Sequence, residues 1–177
     1  ETKLADWLVG QLPQGGRVGF DPWLHSQKQV SELEALLEKY DITLCPCRNL
    51  VDSIWIDPPP ATLAPALPHP VEFAGETSAA KRARLGAQLA AAGQTAVVLT
   101  LTDSIAWLLN IRGNDIPRNP VVQAFAVLWA NGHLKLFAAA EKFGPETLAH
   151  LGPEVRLRPS AAFAPALRGL VGPVRVD

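Results

Sequence analysis

The sequence predicts an α/β protein with a mixed β-sheet flanked by helices, and three observations predict it. Short apolar runs alternate with helix-spaced apolar residues along most of the chain. Two of those runs, residues 17–20 and 42–45, are joined by a helix crossover, which makes neighbouring parallel strands. Asn131-Gly132 sits between two further apolar runs as a hairpin turn does, which adds an antiparallel part. The 177 residues are 48% hydrophobic and 19% charged, enough to bury a core without disulfides or a metal and too apolar for disorder.

Each element follows in order. Leu4, Trp7, Leu8 and Leu12 share a helical face in a segment that stops before Pro13 and the Gly15-Gly16 turn. Arg17-Val18-Gly19-Phe20 reads as a short buried strand. Ser26 with Gln29 three residues on is a capping-box pattern, and behind it Val30, Leu33, Leu36, Leu37 and Tyr40 fall on one face of a helix. Ile42-Thr43-Leu44-Cys45 is the next strand, and residues 49–55 form a short helix. Asp57-Pro58-Pro59-Pro60, then Pro65, Pro68 and Pro70, break the composition. Chain so rich in proline has few backbone donors and stays extended, so a linker and a domain boundary are expected there. Thr77 or Ser78 caps a helix that runs through Leu85, Leu89 and Ala92 to Gly93. Residues 95–100 make a strand apolar enough to be buried on both faces. Asp103 is placed to cap a two-turn helix over residues 104–110. Residues 124–130 and 133–138 are the arms of the hairpin. A helix over 146–151 ending at Gly152, a strand at 155–158, a helix over about 160–170 and a strand at 174–176 complete the order.

Sixteen Lys and Arg against 17 Asp and Glu, with no basic cluster, argue against binding nucleic acid or an anionic membrane. No apolar run approaches the ~20 residues that span a bilayer, and no signal-peptide pattern opens the chain, so a soluble, cytoplasmic protein is expected. Cys45 and Cys47, as Cys-Pro-Cys, are neither half of a zinc site nor a Cys-x-x-Cys redox pair, and are expected as buried thiols in a reducing compartment. A chain without Met that opens Glu1-Thr2-Lys3 reads as part of a longer polypeptide. His25, His69, His133 and His150 stand apart, and no nucleophile elbow or glycine-rich phosphate loop occurs. No catalytic residue and no metal ligand are expected within this chain.

Residues 110–119 ask for more than a packing role. Arg112, Asn114, Asp115, Arg118 and Asn119 crowd around Gly113 and Pro117 just past a buried strand and a short helix, where loops often bind. The simpler reading is that Asn and Asp serve turn geometry and the arginines are solvated. Arg112 is the residue expected to reach a partner, because a guanidinium offers five donors to a carboxylate or to carbonyls. Asn114, Asp115 and Asn119 are expected to hold the loop's shape through side-chain to backbone bonds. Trp23, Trp55, Trp107 and Trp129 read as core or interface anchors.

The run Gly75-Glu76-Thr77-Ser78-Ala79-Ala80-Lys81-Arg82-Ala83-Arg84-Leu85 leads to Leu101-Thr102-Asp103-Ser104-Ile105-Ala106-Trp107-Leu108-Leu109-Asn110-Ile111-Arg112-Gly113-Asn114-Asp115 and Asn119-Pro120-Val121. Together they resemble the second domain of the three-domain Xaa-Pro aminopeptidases, also called aminopeptidase P. Upstream, Val18-Gly19-Phe20-Asp21-Pro22 and Asn49-Leu50-Val51-Asp52-Ser53-Ile54-Trp55 are similar to the end of that family's first domain. The resemblance implies a creatinase/prolidase N-terminal-domain-like, ribonuclease H-like fold. It also implies a homodimeric cytosolic parent enzyme that removes an N-terminal residue preceding proline from peptide substrates. In that family two divalent metal ions, usually manganese, are held by Asp, Glu and His of a separate catalytic domain. None of those ligand motifs matches a position here, so no catalytic or metal residue carries over, and the chain's own catalytic domain becomes its expected partner. Arg112, Asn114, Asp115 and Asn119 are then candidates for facing the substrate cleft.

On this reading residues 1–57 are the closing βαβ portion of a first creatinase-N-type repeat, residues 58–71 a Pro-rich linker and residues 72–177 a second creatinase-N-type domain. Gly16-Arg17-Val18-Gly19-Phe20-Asp21 and Gly172-Pro173-Val174-Arg175-Val176-Asp177 are alike in pattern, as repeats would be. Spacing alone leaves open whether residues 1–57 complete the sheet of residues 72–177; the βαβ unit of residues 17–46 either packs onto residues 77–177 or stays a separate lobe, and packing is expected because Trp23, Val30, Leu33 and Leu37 need cover. Two rival classes are a non-catalytic peptide- or protein-binding module of the same fold and a complete small α/β enzyme, the latter disfavoured by the missing motifs.

Overall fold

The computed structural model describes residues 3–177; Glu1 and Thr2, in the opening quoted above, lie outside them. The chain divides into two compact units, Glu1–Pro60 and Ala61–Asp177.

In the first unit, helix α1 (Leu4–Gln11) precedes strand β1 (Gly16–Phe20), helix α2 (Gln27–Leu37), strand β2 (Ile42–Pro46) and the short helix α3 (Leu50–Ile54). The capping box forms: Gln29 N–H donates to Ser26 Oγ at 3.2 Å, and Ser26 N–H donates to the Gln29 side chain at 2.8 Å. β1 and β2 pair in parallel, Gly16 opposite Ile42 and Phe20 opposite Pro46, and they make a sheet by themselves. That sheet closes over a core of Leu8, Leu37, Ile42 and Leu44. Leu36 is exposed and stands off the buried face that Val30, Leu33 and Leu37 share, and Tyr40 does not share that face of α2 either. It ends a 3₁₀ turn, Glu38–Tyr40, and is exposed, because the chain must reverse through Asp41 at φ 55° before β2 can start. Cys45 and Cys47 are half-buried free thiols rather than buried ones, since a two-stranded sheet leaves its flank uncovered. Cys45 Sγ accepts from Arg17 Nε at 3.2 Å.

The second unit opens with the two-residue strand β3 (Leu67–Pro68) and the single turn α4 (Val71–Ala74). Helix α5 (Ser78–Ala91), strand β4 (Ala96–Leu99), helix α6 (Thr102–Leu109) and the two-residue strand β5 (Ile111–Arg112) follow. Strands β6 (Phe125–Trp129) and β7 (Leu134–Phe137), helix α7 (Pro145–Leu151), strand β8 (Val155–Arg158), helix α8 (Phe163–Arg168) and strand β9 (Val174–Val176) complete it. The five-stranded sheet runs β8-β7-β6-β4-β9, with β4 antiparallel to β6 and parallel to β9, and β7 antiparallel to β6 and parallel to β8. It is the mixed sheet that the sequence predicts, and all its strands come from this unit.

Strand alternation divides the core between the two faces of that sheet. Val97, Leu128, Leu134 and Leu136 join Leu89, Ile105, Leu108 and Leu109 of α5 and α6 on one face. Ala96, Val98, Val127 and Phe137 meet Phe163 of α8 on the other, where the Phe125 and Phe163 rings stack at 4.4 Å.

The hairpin forms with a three-residue loop. Gly132 N–H bonds Trp129 O at 2.9 Å, and Gly132 takes φ 82°, a conformation that needs glycine at the end of such a loop. α6 begins at Thr102, ahead of the predicted Asp103 cap, and its N-cap Leu101 offers no side-chain bond. The carboxylate that serves this end is Asp177, which accepts from Thr100 N–H at 2.7 Å and from Leu101 N–H at 2.9 Å. α8 starts at Phe163 rather than near residue 160. Pro165 inside a longer helix would lack its donor and clash with the preceding turn, whereas at the third position of α8 no donor is needed.

The proline-rich segment is anchored from Ala66 onward. Ala66 is buried, its N–H donates to Lys142 O at 2.8 Å, and its carbonyl accepts from Thr147 Oγ1 at 2.6 Å. Leu67 and Pro68 then pair antiparallel with Arg112 and Ile111. Periodicity cannot announce strands this short.

Candidate functional site

The site is built where α5, α6, β3 and β5 converge. The Thr77 hydroxyl caps α5 by accepting from Ala80 N–H at 3.2 Å. Positions 78, 81, 82, 85, 86 and 89 share the inward face at helical spacing, so Lys81 and Arg82 are drawn inside, 2% and 4% exposed. Arg82 spans to the hairpin and donates to Gly132 O at 2.8 Å. Lys81 Nζ donates to Trp107 O at 2.9 Å and to Asn110 Oδ1 at 2.7 Å, and lies 4.4 Å from the centre of the Trp107 ring.

α6 ends on Asn110, which is buried and left-handed at φ 49° and ψ 52°. Asn110 Nδ2 donates to Glu76 O at 2.8 Å, and Asn110 O accepts from His69 N–H at 2.7 Å. β5 leaves from this residue, with Ile111 fully buried and Arg112 half-buried. Arg112 Nη1 donates to Ile111 O at 2.9 Å and to Ala106 O at 3.3 Å. Among the described residues its other nitrogens make no hydrogen bond and it forms no ion pair.

Asp115 lies beneath the loop with its carboxylate fully buried. Oδ2 meets Lys142 Nζ at 2.6 Å and accepts from Gln123 N–H at 2.7 Å, while Oδ1 is buried without a partner. Asp115 therefore holds the loop's shape, as the sequence predicts, but it does so from within and presents nothing to a ligand. Asn114 and Asn119 are exposed and make no side-chain hydrogen bond among the described residues. The work foreseen for them is done by backbone bonds from Asn119 N–H to Ile116 O at 3.1 Å and from Val121 N–H to Asn119 O at 2.8 Å. Arg118 is exposed with φ 65°, the third residue of a turn in which Pro117 is second.

Two cations, Arg84 and Lys81, act on the Glu76 carboxylate, and Arg112 is near enough to Lys81 to act on its ammonium. Glu76 binds Arg84 through both oxygens, at 2.8 and 3.2 Å, and that hydrogen bonding holds its carboxyl below the usual range. Burial lowers the Lys81 ammonium; Glu76 opposes that, and Arg112 and Arg84 add to it. The half-exposed indole of Trp107 borders the cluster. Chemically this surface suits a carboxylate or carbonyl partner, with the open edge of Arg112 as donor. Lys81, Arg82 and Lys142 were not singled out by sequence. Stepping back three and four residues from Leu85 along α5 would have found the first two.

Among the described residues no three His, Cys, Asp or Glu side chains converge as a metal ion requires. Nor is any helix long and apolar enough to cross a membrane.

A mixed sheet with helices on both faces, carrying a buried α5 lysine and a polar loop after a short helix, defines an α/β domain. Residues 57–175 match the creatinase/prolidase N-terminal domain, and the chain belongs to that family. It is 37% identical to the probable Xaa-Pro aminopeptidase P of Talaromyces marneffei, over 91% of this chain and 25% of that protein. It is 34% identical to aminopeptidase P1 of Lotus japonicus over the same shares. Among solved structures it is similar to the X-prolyl aminopeptidase of Caenorhabditis elegans, described as a cytosolic enzyme with a di-nuclear active site. The TM-score is 0.86 and the identity 30%, over 95% of this chain and 28% of that one. The chain thus spans about a quarter of the length of these relatives. Among its described residues no three potential ligands converge as either ion of such a centre would need.

Proposed function

We propose that this chain is a non-catalytic N-terminal and middle portion of a Xaa-Pro aminopeptidase, the metal-dependent enzyme that removes an N-terminal residue preceding proline. Residues 1–57 are the closing part of a first creatinase-N-type repeat, residues 58–71 the connection and residues 72–177 the second such domain. The parent carries two divalent metal ions, usually manganese in such enzymes, on its catalytic domain, acts on peptides with proline in second position, and works as a cytoplasmic homodimer. Within it this chain contributes to substrate access and assembly. Arg112 faces the cleft and offers its free edge to a carboxylate or carbonyl, Asn114 and Asn119 flank it, and Asp115 supports the loop.

One observation carries this reading: among the described residues Arg112 is bonded through one nitrogen, Nη1, and not through the others, in the neighbourhood of the buried Lys81 ammonium. The test is Arg112→Ala in the full-length enzyme. Catalytic efficiency on a Xaa-Pro peptide is expected to fall about tenfold or more, the equivalent of 1.4 kcal/mol. The stability of the 177-residue chain should change by no more than roughly 1 kcal/mol, the worth of ordinary hydrogen bonds to two carbonyls. Unchanged efficiency, or a chain that unfolds, makes the arginine structural and defeats the assignment.

A further inference from the structure

Asn110 is a single residue at which four segments meet. Its N–H closes α6 on Trp107 O at 3.4 Å, its carbonyl takes the His69 N–H beside β3, its Nδ2 binds the Glu76 carbonyl ahead of α5, and its Oδ1 takes the Lys81 ammonium of α5. Every polar group of the residue is engaged, in a left-handed backbone conformation that Asn tolerates better than other side chains. The direction in which the chain leaves it is therefore fixed, and Arg112 is the second residue out.

Lys81 is the costly member of this hub. Its ammonium is buried, bonded to two neutral oxygens with the Trp107 ring beside it, and makes no ion pair among the described residues. Glu76, the nearest acidic neighbour, gives its oxygens to Arg84. Burying a cation with no carboxylate partner is unfavourable, and a methionine would fill much the same volume without that cost. What a methionine could not do is hold Asn110 Oδ1 and Trp107 O together through charge-assisted bonds.

We infer that Lys81 is a positioning residue: by ordering Asn110 it sets the path of β5 and aims the Arg112 guanidinium at the partner group. The inference rests on the reading of Arg112 given above, and its test separates the two.

In the 177-residue chain, amide hydrogen exchange of Lys81→Met is compared with the wild type. Exchange at Ile111, Arg112 and Gly113 should accelerate at least about tenfold while Val97, Val98 and Leu128 in the sheet stay within about threefold. Equal acceleration everywhere, or none at residues 111–113, overturns the inference. Should Lys81→Met fail to fold, Asn110→Gly keeps the left-handed backbone but removes the side chain, and the same local pattern is expected of it; its absence counts equally against the inference. In the full-length enzyme, Lys81→Met combined with Arg112→Ala should lose no more catalytic efficiency than Arg112→Ala alone, because a positioning residue has nothing left to position. Losses that multiply overturn the role. An Arg112→Ala enzyme with full efficiency defeats the reading of Arg112, while the exchange pattern still decides what Lys81 does to the loop.

Discussion

Replacing Asp115 by Ala removes one half of a pair whose side chains are 0% exposed for Asp115 and 5% for Lys142. In the variant the Lys142 ammonium stays in the interior with nothing opposite it, and Gln123 N–H loses its acceptor as well. An uncompensated buried charge costs about 3–5 kcal/mol. Removing the carboxylate also removes its orphaned Oδ1, which returns on the order of 1 kcal/mol. The expected net loss is about 3 kcal/mol, a large share of the roughly 5–15 kcal/mol that holds a domain folded. At about 3 °C per kcal/mol for a chain of this size, the melting temperature should fall by about 10 °C. Urea unfolding followed by far-UV circular dichroism measures the loss, and amide exchange at Val97, Val98 and Leu128 assigns it to the second unit. Lys142→Met, which strands the carboxylate instead, should cost a similar amount. The double variant leaves neither charge and should fall short of the sum of the singles by about 2 kcal/mol or more. An Asp115→Ala chain within ~1 kcal/mol of wild type, or strictly additive singles, would refute the reasoning, because Lys142 would then be finding water.

Thr77→Ala removes the acceptor for Ala80 N–H and should cost about 1 kcal/mol of second-unit stability, read by urea unfolding; no change would mean that water caps α5 equally well. Lys81 gives a signed pH dependence. Its proton is held less tightly in the folded than in the unfolded chain, so its share of stability is level at neutral pH and rises with pH between the lowered folded value and the ordinary lysine value near 10.4. Wild type should therefore gain on Lys81→Met as pH rises toward the ordinary lysine value, and a constant difference would contradict the burial argument. Calorimetric titration of Mn²⁺ into the 177-residue chain should show no tight stoichiometric site, and a tight one with full occupancy would contradict the absence of converging ligands among the described residues.

The strands and helices were legible where one physical rule acted alone. The capping box at Ser26 and Gln29, the Thr77 cap, the double-sided apolar run before Thr100 and the Asn131-Gly132 turn each formed because local chemistry and burial pointed the same way. Where a distant group intervened, local reading fell short. Asp103 looked like the cap of α6, but Asp177 binds the amides ahead of that helix from 76 and 77 positions further along the chain. Pro165 shortened α8 from inside. β3 and β5 carry two residues each, too few for any period to register. In the candidate site Arg112 and Asp115 were visible as residue types, yet the partner of Asp115, Lys142, is 27 residues away and reads on its own as a surface lysine.

The arrangement also explains why an arginine stands at position 112. A guanidinium is a rigid fork, so one nitrogen can be tied to the Ala106 and Ile111 carbonyls while the opposite edge remains open for two parallel bonds to a carboxylate. A lysine tied in the same way would spend its single nitrogen on the loop and have little direction left for a partner. Fixing the fork requires that the backbone under it does not drift, and the two buried cations answer that need from opposite sides. Lys81 holds the start of the segment through Asn110, and Lys142 holds its middle through Asp115. Each accepts a desolvation cost that an apolar core residue would avoid. Buried charge of this kind, placed at both supports of one half-buried arginine, is better accounted for by the precision of the loop than by the stability of the fold.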